Sequence, residues 1–139
     1  MARISRTKAS LRYWGDDLNP DELTASLGRA PSSSATKGQE IMGKVTGQVR
    51  IAKTGGWTFK VEAREPGDLD AQIQELFGSL TADLSVWRNL ADKYESDLFV
   101  GMFMKEENEG LKISAESLGI LSSRGVALSL DIYDPVDDA

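Results

Sequence analysis

One helix-start pattern occurs twice in the chain, in segments 18–23 and 113–118. In each copy an apolar residue precedes a capping side chain, Asn19 or Ser114, an acidic first turn follows, and an aliphatic residue lies four positions after the cap. A strand-like run of residues lies on both sides of each predicted helix. The pattern therefore predicts two related β-α-β halves.

The segment between these halves predicts a hairpin and two further helices. Apolar residues alternate from 45 to 51 and again from 57 to 63, around a Gly-containing turn at 53–56, which is typical of a β-hairpin. The preceding segment, 31–38, has the composition of a flexible loop. Apolar residues at helical spacing predict one helix over 68–80 and a second that begins near Thr81.

The predicted order is β-α-β-β-α-α-β-α-β, with a last strand over 126–132. We expect one α+β domain spanning residues 1–139, with a largely antiparallel sheet and helices packed on one face. We expect residues 1–7 and 134–139 to be frayed termini. Trp57, Trp87, Phe77 and Leu128 lie on apolar stripes and should share one core.

The absence of two residue types excludes several kinds of chemistry. The chain contains no cysteine and no histidine, which excludes disulfide scaffolds, thiolate and imidazole metal sites, and Ser-His-Asp or Cys-His catalysis. We expect no bound metal and no cofactor. No apolar stretch approaches the roughly 18 residues of a membrane span, so we expect a cytoplasmic protein without membrane association.

Charge is distributed unevenly along the chain, whose formal net charge is −6. Residues 1–64 carry 11 Lys and Arg against 6 Asp and Glu, whereas residues 65–139 carry 5 against 16. The acidic half opposes nucleic-acid binding and suits a basic protein partner, because binding a polyanion needs neutralising cations. The alternative interpretation is that the acidic residues serve only solubility.

Several short segments together resemble one known family. They are Leu11-Arg-Tyr-Trp-Gly-Asp-Asp-Leu-Asn-Pro-Asp-Glu-Leu23, Leu27-Gly28 with Pro31, Gly38 before Glu40, the lone Trp57 of the hairpin, and Leu128-Ser-Leu-Asp-Ile-Tyr133. This assembly resembles a bacterial family known as a domain of unknown function, numbered 4279, from about residue 8 to residue 134. The resemblance implies a compact α+β fold in a small bacterial protein and supplies no catalytic residue.

Aspartates at strand ends are the first candidates for a site. Asp16 and Asp17 follow the strand that ends near Trp14, where two carboxylates could bind magnesium or divide acid and base roles. The alternative is that both simply accept backbone N–H groups in the turn. Asp131 lies inside the last strand, where aspartate is depleted. Its side of the strand is either open to solvent, the interpretation that we favour, or part of a polar groove with Arg12 and Tyr133 as companions.

An acidic loop supplies the remaining candidates, Glu106, Glu107 and Glu109. It lacks the alternating oxygen positions of a calcium-binding EF-hand loop, so we interpret it as a hairpin turn. With Asp131, these glutamates could contribute to an acidic face for a basic partner.

These features favour a non-enzymatic protein-interaction module, in particular an acidic immunity or regulatory protein that neutralises a basic partner such as a toxin. The alternative is a sensor that binds a small effector between the two β-α-β halves. A third hypothesis is a carboxylate or magnesium enzyme that uses Asp16, Asp17 and Asp131. A continuous acidic face would favour the first, a basic patch the second, and converging carboxylates the third.

Overall fold

The computed structural model describes residues 2–43 and 47–135. Four helices and nine strands are present in these residues. The helices are α1 (Pro20–Leu27), α2 (Leu69–Gly78), α3 (Leu84–Lys93) and α4 (Ala115–Ser123). The strands are β1 (Ala2–Arg3), β2 (Arg6–Gly15), β3 (Ser33–Ala35), β4 (Glu40–Met42), β5 (Val49–Ile51), β6 (Gly55–Lys60), β7 (Glu95–Phe103), β8 (Glu109–Gly110) and β9 (Ala127–Tyr133).

Both predicted helix starts are confirmed. The Asn19 side chain accepts a hydrogen bond from the Asp21 N–H at the start of α1, and the Ser114 hydroxyl accepts one from the Ser117 N–H at the start of α4. Each cap satisfies a backbone donor that has no partner within the helix. The helix α1 ends at Gly28, whose φ of 85° lies in the left-handed region that favours glycine.

Five strands form the central sheet in the order β3-β6-β2-β7-β9. The middle strand, β2, is antiparallel to both of its neighbours, and β3 is antiparallel to β6. In contrast, β7 and β9 are parallel, because α4 carries the chain back between them. Two small pairings accompany this sheet, β1 with β8 and β4 with β5. The predicted α+β class with a largely antiparallel sheet is confirmed.

The core lies between one face of this sheet and the helices. Alternate residues of β2, namely Ala9, Leu11 and Tyr13, are buried within it, as the twofold periodicity of a strand requires. The predicted shared core is also present: Trp57, Trp87 and Phe77 are buried in one cluster, and Leu128 packs against it.

The predicted β-α-β halves differ in their connections. In the second half, β7 and β9 are direct parallel neighbours. In the first half, the strand that follows α1 in the sheet is β3, and β6 lies between it and β2. The two halves therefore share the helix start, but a later strand splits the first half.

The predicted hairpin is wrong in its pairing. The strand β5 pairs with β4, whereas β6 pairs with β2 and β3. The twofold alternation of each strand is real, but alternation identifies a strand without identifying its partner. The part of the first predicted strand at 45–46 lies outside the described residues.

Two segments expected to lack regular structure are ordered. Residues 33–35, expected to be loop, form β3. Residues 2–7, expected to fray, form β1 and the start of β2, and Ile4 and Thr7 are buried. Burial of these side chains and the pairing of β1 with β8 stabilise the segment. Residues 136–139 lie outside the described residues.

No helix within the described residues has the length and apolar character needed to cross a membrane.

Replacement of Trp87 with Ala should lower the free energy of unfolding by ~3–5 kcal/mol, because it removes a fully buried ring from the core. Chemical denaturation measures this loss. Val49→Ala is the control, since Val49 is exposed and should change stability by less than ~0.5 kcal/mol. A loss below about 1 kcal/mol at Trp87 would contradict the assigned core.

Candidate functional site: a groove on the open face of the sheet

The sheet face opposite the helices, here called the open face, carries the charged residues of the five strands of the central sheet. The alternation of β2 places Arg6, Lys8, Ser10, Arg12 and Trp14 on it. The register of the neighbouring strands adds residues beside them. These are Ser33 and Ala35 of β3, Gly56, Thr58 and Lys60 of β6, Glu95, Asp97, Phe99, Gly101 and Phe103 of β7, and Ala127, Ser129, Asp131 and Tyr133 of β9.

An ion pair lies at the centre of the open face. Arg12 and Asp97 are directly opposite each other in β2 and β7. The Arg12 Nε donates to Asp97 Oδ1 over 2.8 Å, and a terminal nitrogen donates to Oδ2 over 2.6 Å. The Ser129 hydroxyl also donates to Oδ2, over 2.8 Å. The Asp97 side chain is only 6% exposed, so these three hydrogen bonds compensate for its removal from water.

The ion pair also positions aromatic rings. The Arg12 guanidinium lies 4.3 Å from the centre of the Phe99 ring and 5.7 Å from that of Trp14. Its hydrogen bond to Asp97 raises the pKa of Arg12 above its ordinary value. Arg12 is therefore held as a cation, with its position set by Asp97 on one strand and by the Phe99 ring beside it.

Two hollows along the open face form what is here called the sheet groove. The first, of about 420 Å³, lies over the middle of the face, and the second, of about 580 Å³, lies between the sheet and the β4-β5 hairpin. Arg12 and Thr58 line both hollows, so the two are adjacent. Volumes in this range are typical of small-molecule sites.

The first hollow combines cations, hydroxyl groups and aromatic rings. Two of the cations come from β2 and one from β6, and the rings come from β7 and β9. Its lining includes Lys8, Arg12 and Lys60, the hydroxyls of Ser10, Ser33 and Thr58, and the rings of Phe99, Phe103 and Tyr133. Positive charge, hydroxyl donors and flat apolar surfaces are the groups that recognise an anion attached to a planar ring.

Lys8 and Lys60 supply two of the positive charges that line this hollow. Both are exposed, and neither forms an ion pair with a carboxylate of the described residues. The Lys8 ammonium lies 5.8 Å from the centre of the Phe103 ring. Both lysines are thus available to bind an anion without first breaking an existing ion pair.

A pair of stacked rings borders the groove at β9. Phe103 and Tyr133 are opposite each other in the register, with ring centres 4.7 Å apart and planes 4° apart. Arg6 lies over Phe103 at 5.4 Å. At the edge of the hollow, the Phe103 ring therefore lies between the Arg6 guanidinium and the Tyr133 ring.

Asp131 has one of its two predicted companions. The Tyr133 hydroxyl donates a hydrogen bond to Asp131, and this contact raises the pKa of Tyr133 because the carboxylate disfavours the phenolate. Arg12, the other expected companion, pairs with Asp97 instead.

Asp16 and Asp17 lie at the far end of β2, in an exposed turn. Asp16 forms an ion pair with Lys37 over 3.2 Å, and hydrogen bonds from Lys37 and Thr54 lower its pKa. Asp131 of β9 lies opposite Gly101 of β7, and Gly101 lies opposite Lys8 of β2, so Asp131 is level with Lys8. Lys8 and Gly15 are roughly 23 Å apart along β2 at about 3.3 Å per residue, so the three aspartates do not converge.

The acidic loop divides into two parts. Glu106 and Glu107 are exposed, whereas Glu109 is partly buried. Glu109 accepts hydrogen bonds from the Ser5 N–H and hydroxyl and from the N–H groups of Lys105 and Glu106. Burial acts to raise the pKa of Glu109, but these hydrogen bonds outweigh it and leave the pKa lowered. Glu109 thus holds the loop against the N-terminal segment.

Carboxylates do not assemble into a metal site in the part of the chain that the structure describes. No group of three or more Asp or Glu side chains there is placed to hold an ion. Asp70 and Asp97 are hydrogen-bonded to neighbouring serines, and Asp68, Glu65 and Glu75 pair with basic side chains.

Sequence reasoning missed the central role of Asp97 and the contributions of Lys60, Phe99 and Phe103. One signal was present, since aspartate is depleted in strand interiors, and Asp97 is such a residue. The lysine and the rings gave no comparable signal, because they become neighbours only when β6, β2 and β7 pair.

The fold is of the α+β class. Its central five-stranded sheet has helices on one face and a cationic, aromatic groove on the other. A family model described as Domain of unknown function (DUF4279) matches residues 5–135, so the chain belongs to this family. No curated protein and no solved structure matches the chain.

Replacement of Asp97 with Ala should lower the free energy of unfolding by ~1–3 kcal/mol, because Arg12 and Ser129 lose their shared partner. The range is modest because the Arg12 side chain is 39% exposed and water can solvate it. Glu95→Ala, on the same strand and face, is the matched control for chemical denaturation. An Asp97 variant as stable as the control would contradict the stabilising role of the ion pair.

Replacement of Asp131 with Asn should lower the pKa of Tyr133 toward the ordinary tyrosine value of about 10, because the neutral amide no longer opposes the phenolate. Carbon NMR of the Tyr133 ring during alkaline titration measures this change. An identical titration midpoint in both proteins would show that the carboxylate does not control the phenol.

Proposed function

We propose that this protein is a non-enzymatic binding module, and that the sheet groove binds a small anionic ligand with a planar ring. The observation that carries this proposal is the convergence of Lys8, Lys60 and Arg12 on one hollow. Arg12 is partly neutralised by Asp97, whereas the two lysines have no carboxylate partner among the described residues. An anion in the hollow would supply that partner.

The net charge of the protein indicates that an anionic ligand is attracted by the lysines at short range and not by the protein as a whole. The chain has a net charge of −6, so its overall field repels anions. A positive site within such a field favours a small ligand that reaches the lysines at close range. A long polyanion would also meet the acidic surroundings, which disfavours nucleic acid.

The other groups of the groove define the ligand class further. Hydroxyls from Ser10, Ser33 and Thr58 can donate to phosphate or carboxylate oxygens. Phe99 and Tyr133 each have one ring face covered, by Arg12 and by Phe103, and their remaining apolar surface can contact a planar group. A mononucleotide has both parts, and it is the ligand class that we propose.

This proposal corresponds to the sensor hypothesis, with a changed location. The ligand lies across the strands of one continuous sheet rather than between two halves. A cytoplasmic location remains part of the proposal, because a chain without cysteine is suited to a reducing compartment.

A basic protein partner is the second proposal. The exposed, adjacent Glu106 and Glu107 support it, since rim charges of this kind steer association with an oppositely charged surface. Glu109 and Asp131 contribute less to such a surface. Glu109 accepts hydrogen bonds from N–H groups of its own loop, and Asp131 lies on the open face.

Titration calorimetry with AMP, GMP, CMP and UMP tests the nucleotide proposal. Lys8→Ala combined with Lys60→Ala should weaken binding at least about tenfold, because each lysine contributes a charge-assisted contact. Added salt should weaken binding to the wild type more than to the double variant, since fewer charges remain to be screened.

Arg88→Ala combined with Lys112→Ala is the matched control, because it also removes two positive charges, from exposed positions outside the sheet groove. Inorganic phosphate and a short single-stranded oligonucleotide complete the series. Binding of phosphate as tight as that of every nucleotide would contradict a role for the rings. Equal weakening by the control would contradict the site, and no binding of any probe would leave the protein-partner proposal in its place.

A further inference from the structure

The edge of the sheet formed by β9 is open. Within residues 2–43 and 47–135, β9 pairs with β7 alone. The Tyr133 carbonyl accepts from the Met104 N–H, so the backbone groups of residue 133 point toward β7. Because this direction alternates along a strand, the N–H and C=O groups of Leu128, Leu130 and Ile132 point away from the sheet.

This edge lacks the features that normally prevent pairing. The seven residues of β9 include neither proline nor lysine, and Asp131 is their only charge. The opposite edge of the sheet, β3, is three residues long and therefore offers little backbone for pairing. The sheet thus has one edge suited to adding a strand, and that edge is long and nearly uncharged.

Exposed apolar side chains lie beside the same edge. Leu130 is 47% exposed and Ile132 58% exposed, on the sheet face that carries the helices. Soluble proteins seldom leave a strand edge and apolar side chains uncovered together.

We propose that β9 pairs antiparallel with β9 of a second copy of this chain, centred on Leu130. In this register Leu130 lies opposite Leu130 of the partner, and Leu128 lies opposite Ile132. All three carry outward backbone groups, so the register forms six hydrogen bonds across the twofold axis.

The charges of β9 favour a second copy as the occupant. In the register centred on Leu130, each Asp131 lies opposite Ser129, so the only charged residue of the strand does not meet itself. The apolar residues Leu128, Leu130 and Ile132 meet only one another. The residues of β9 are therefore compatible with those of an antiparallel copy of the same strand, as an isologous dimer requires.

The geometry of antiparallel pairing sets the arrangement of the dimer. The twofold axis runs perpendicular to the sheet, so both sets of helices lie on one side and both open faces on the other. The result is a ten-stranded sheet with two sheet grooves on a single surface. Because β3 is too short to continue the sheet, the assembly closes at two copies. The proposal does not depend on the identity of the ligand.

Sedimentation equilibrium over a hundredfold dilution series, combined with amide hydrogen exchange by NMR, tests this dimer. The wild type should have twice the monomer mass of 15.1 kDa at the higher concentrations. The amides of Leu128, Leu130 and Ile132 should exchange slowly in the dimer and become fast on dilution, whereas those of Ser129 and Asp131 should stay protected by β7.

Ile132→Lys places a charge at the interface and should yield a folded monomer with fast exchange at all three outward amides. Val49→Lys is the matched control, since Val49 is 56% exposed on β5, and it should remain dimeric. Circular dichroism verifies that both variants are folded. If Ile132→Lys does not fold, the exchange pattern of the wild type still decides the question.

Three outcomes would overturn the proposal. The first is a wild type that stays monomeric at every concentration. The second is a dimer in which the outward amides of β9 exchange as fast as those of exposed loops. The third is a dimer that Ile132→Lys leaves intact, which would place the interface elsewhere.

Discussion

The double pairing of β2 is the constraint on which the rest of this structure depends. This strand hydrogen-bonds to β6 on one side and to β7 on the other, so it cannot shift without breaking both ladders. Its alternation sends Ala9, Leu11 and Tyr13 into the core and Lys8 and Arg12 to the open face. A slip of one residue would exchange the two sets and bury the cations, which is why the hydrophobic core also determines the position of the groove.

The Arg12-Asp97 ion pair links this framework to the candidate site. Asp97 is nearly inaccessible to water, yet it lies on the face that has no helices, because Arg12, Ser129 and the strands around them cover it. A buried carboxylate with three hydrogen bonds has little freedom, so it holds the Arg12 side chain in one position. Lys8 and Lys60 line the same hollow as Arg12 and have no carboxylate partner in the described residues. The groove thus combines a preorganised cation with two adaptable ones.

The charges of the two sequence halves mix in the folded protein. Arg3 pairs with Asp68, Arg12 with Asp97, and Arg64 with Glu75, each across the division at residue 65. Part of the acidic excess of residues 65–139 is therefore balanced by cations from residues 1–64. The halves are interleaved because β2 and β6 of the first flank each other beside β7 of the second. A strongly acidic face does not follow from an acidic half of the sequence.

Local physical chemistry in the sequence determined the helix starts, the strand alternation, the α+β class and the core aromatic residues, because caps and periodicity act over a few residues. The sequence pattern also identified the family. Only the tertiary structure decided which strands pair: it placed β5 with β4, inserted β6 between β2 and β3, and ordered residues 2–7. The groove is also decided by the tertiary structure alone, since Lys8, Lys60 and Phe99 lie on three different strands. Strand partners are chosen by the packing of the whole sheet against its helices, and no local segment contains that information.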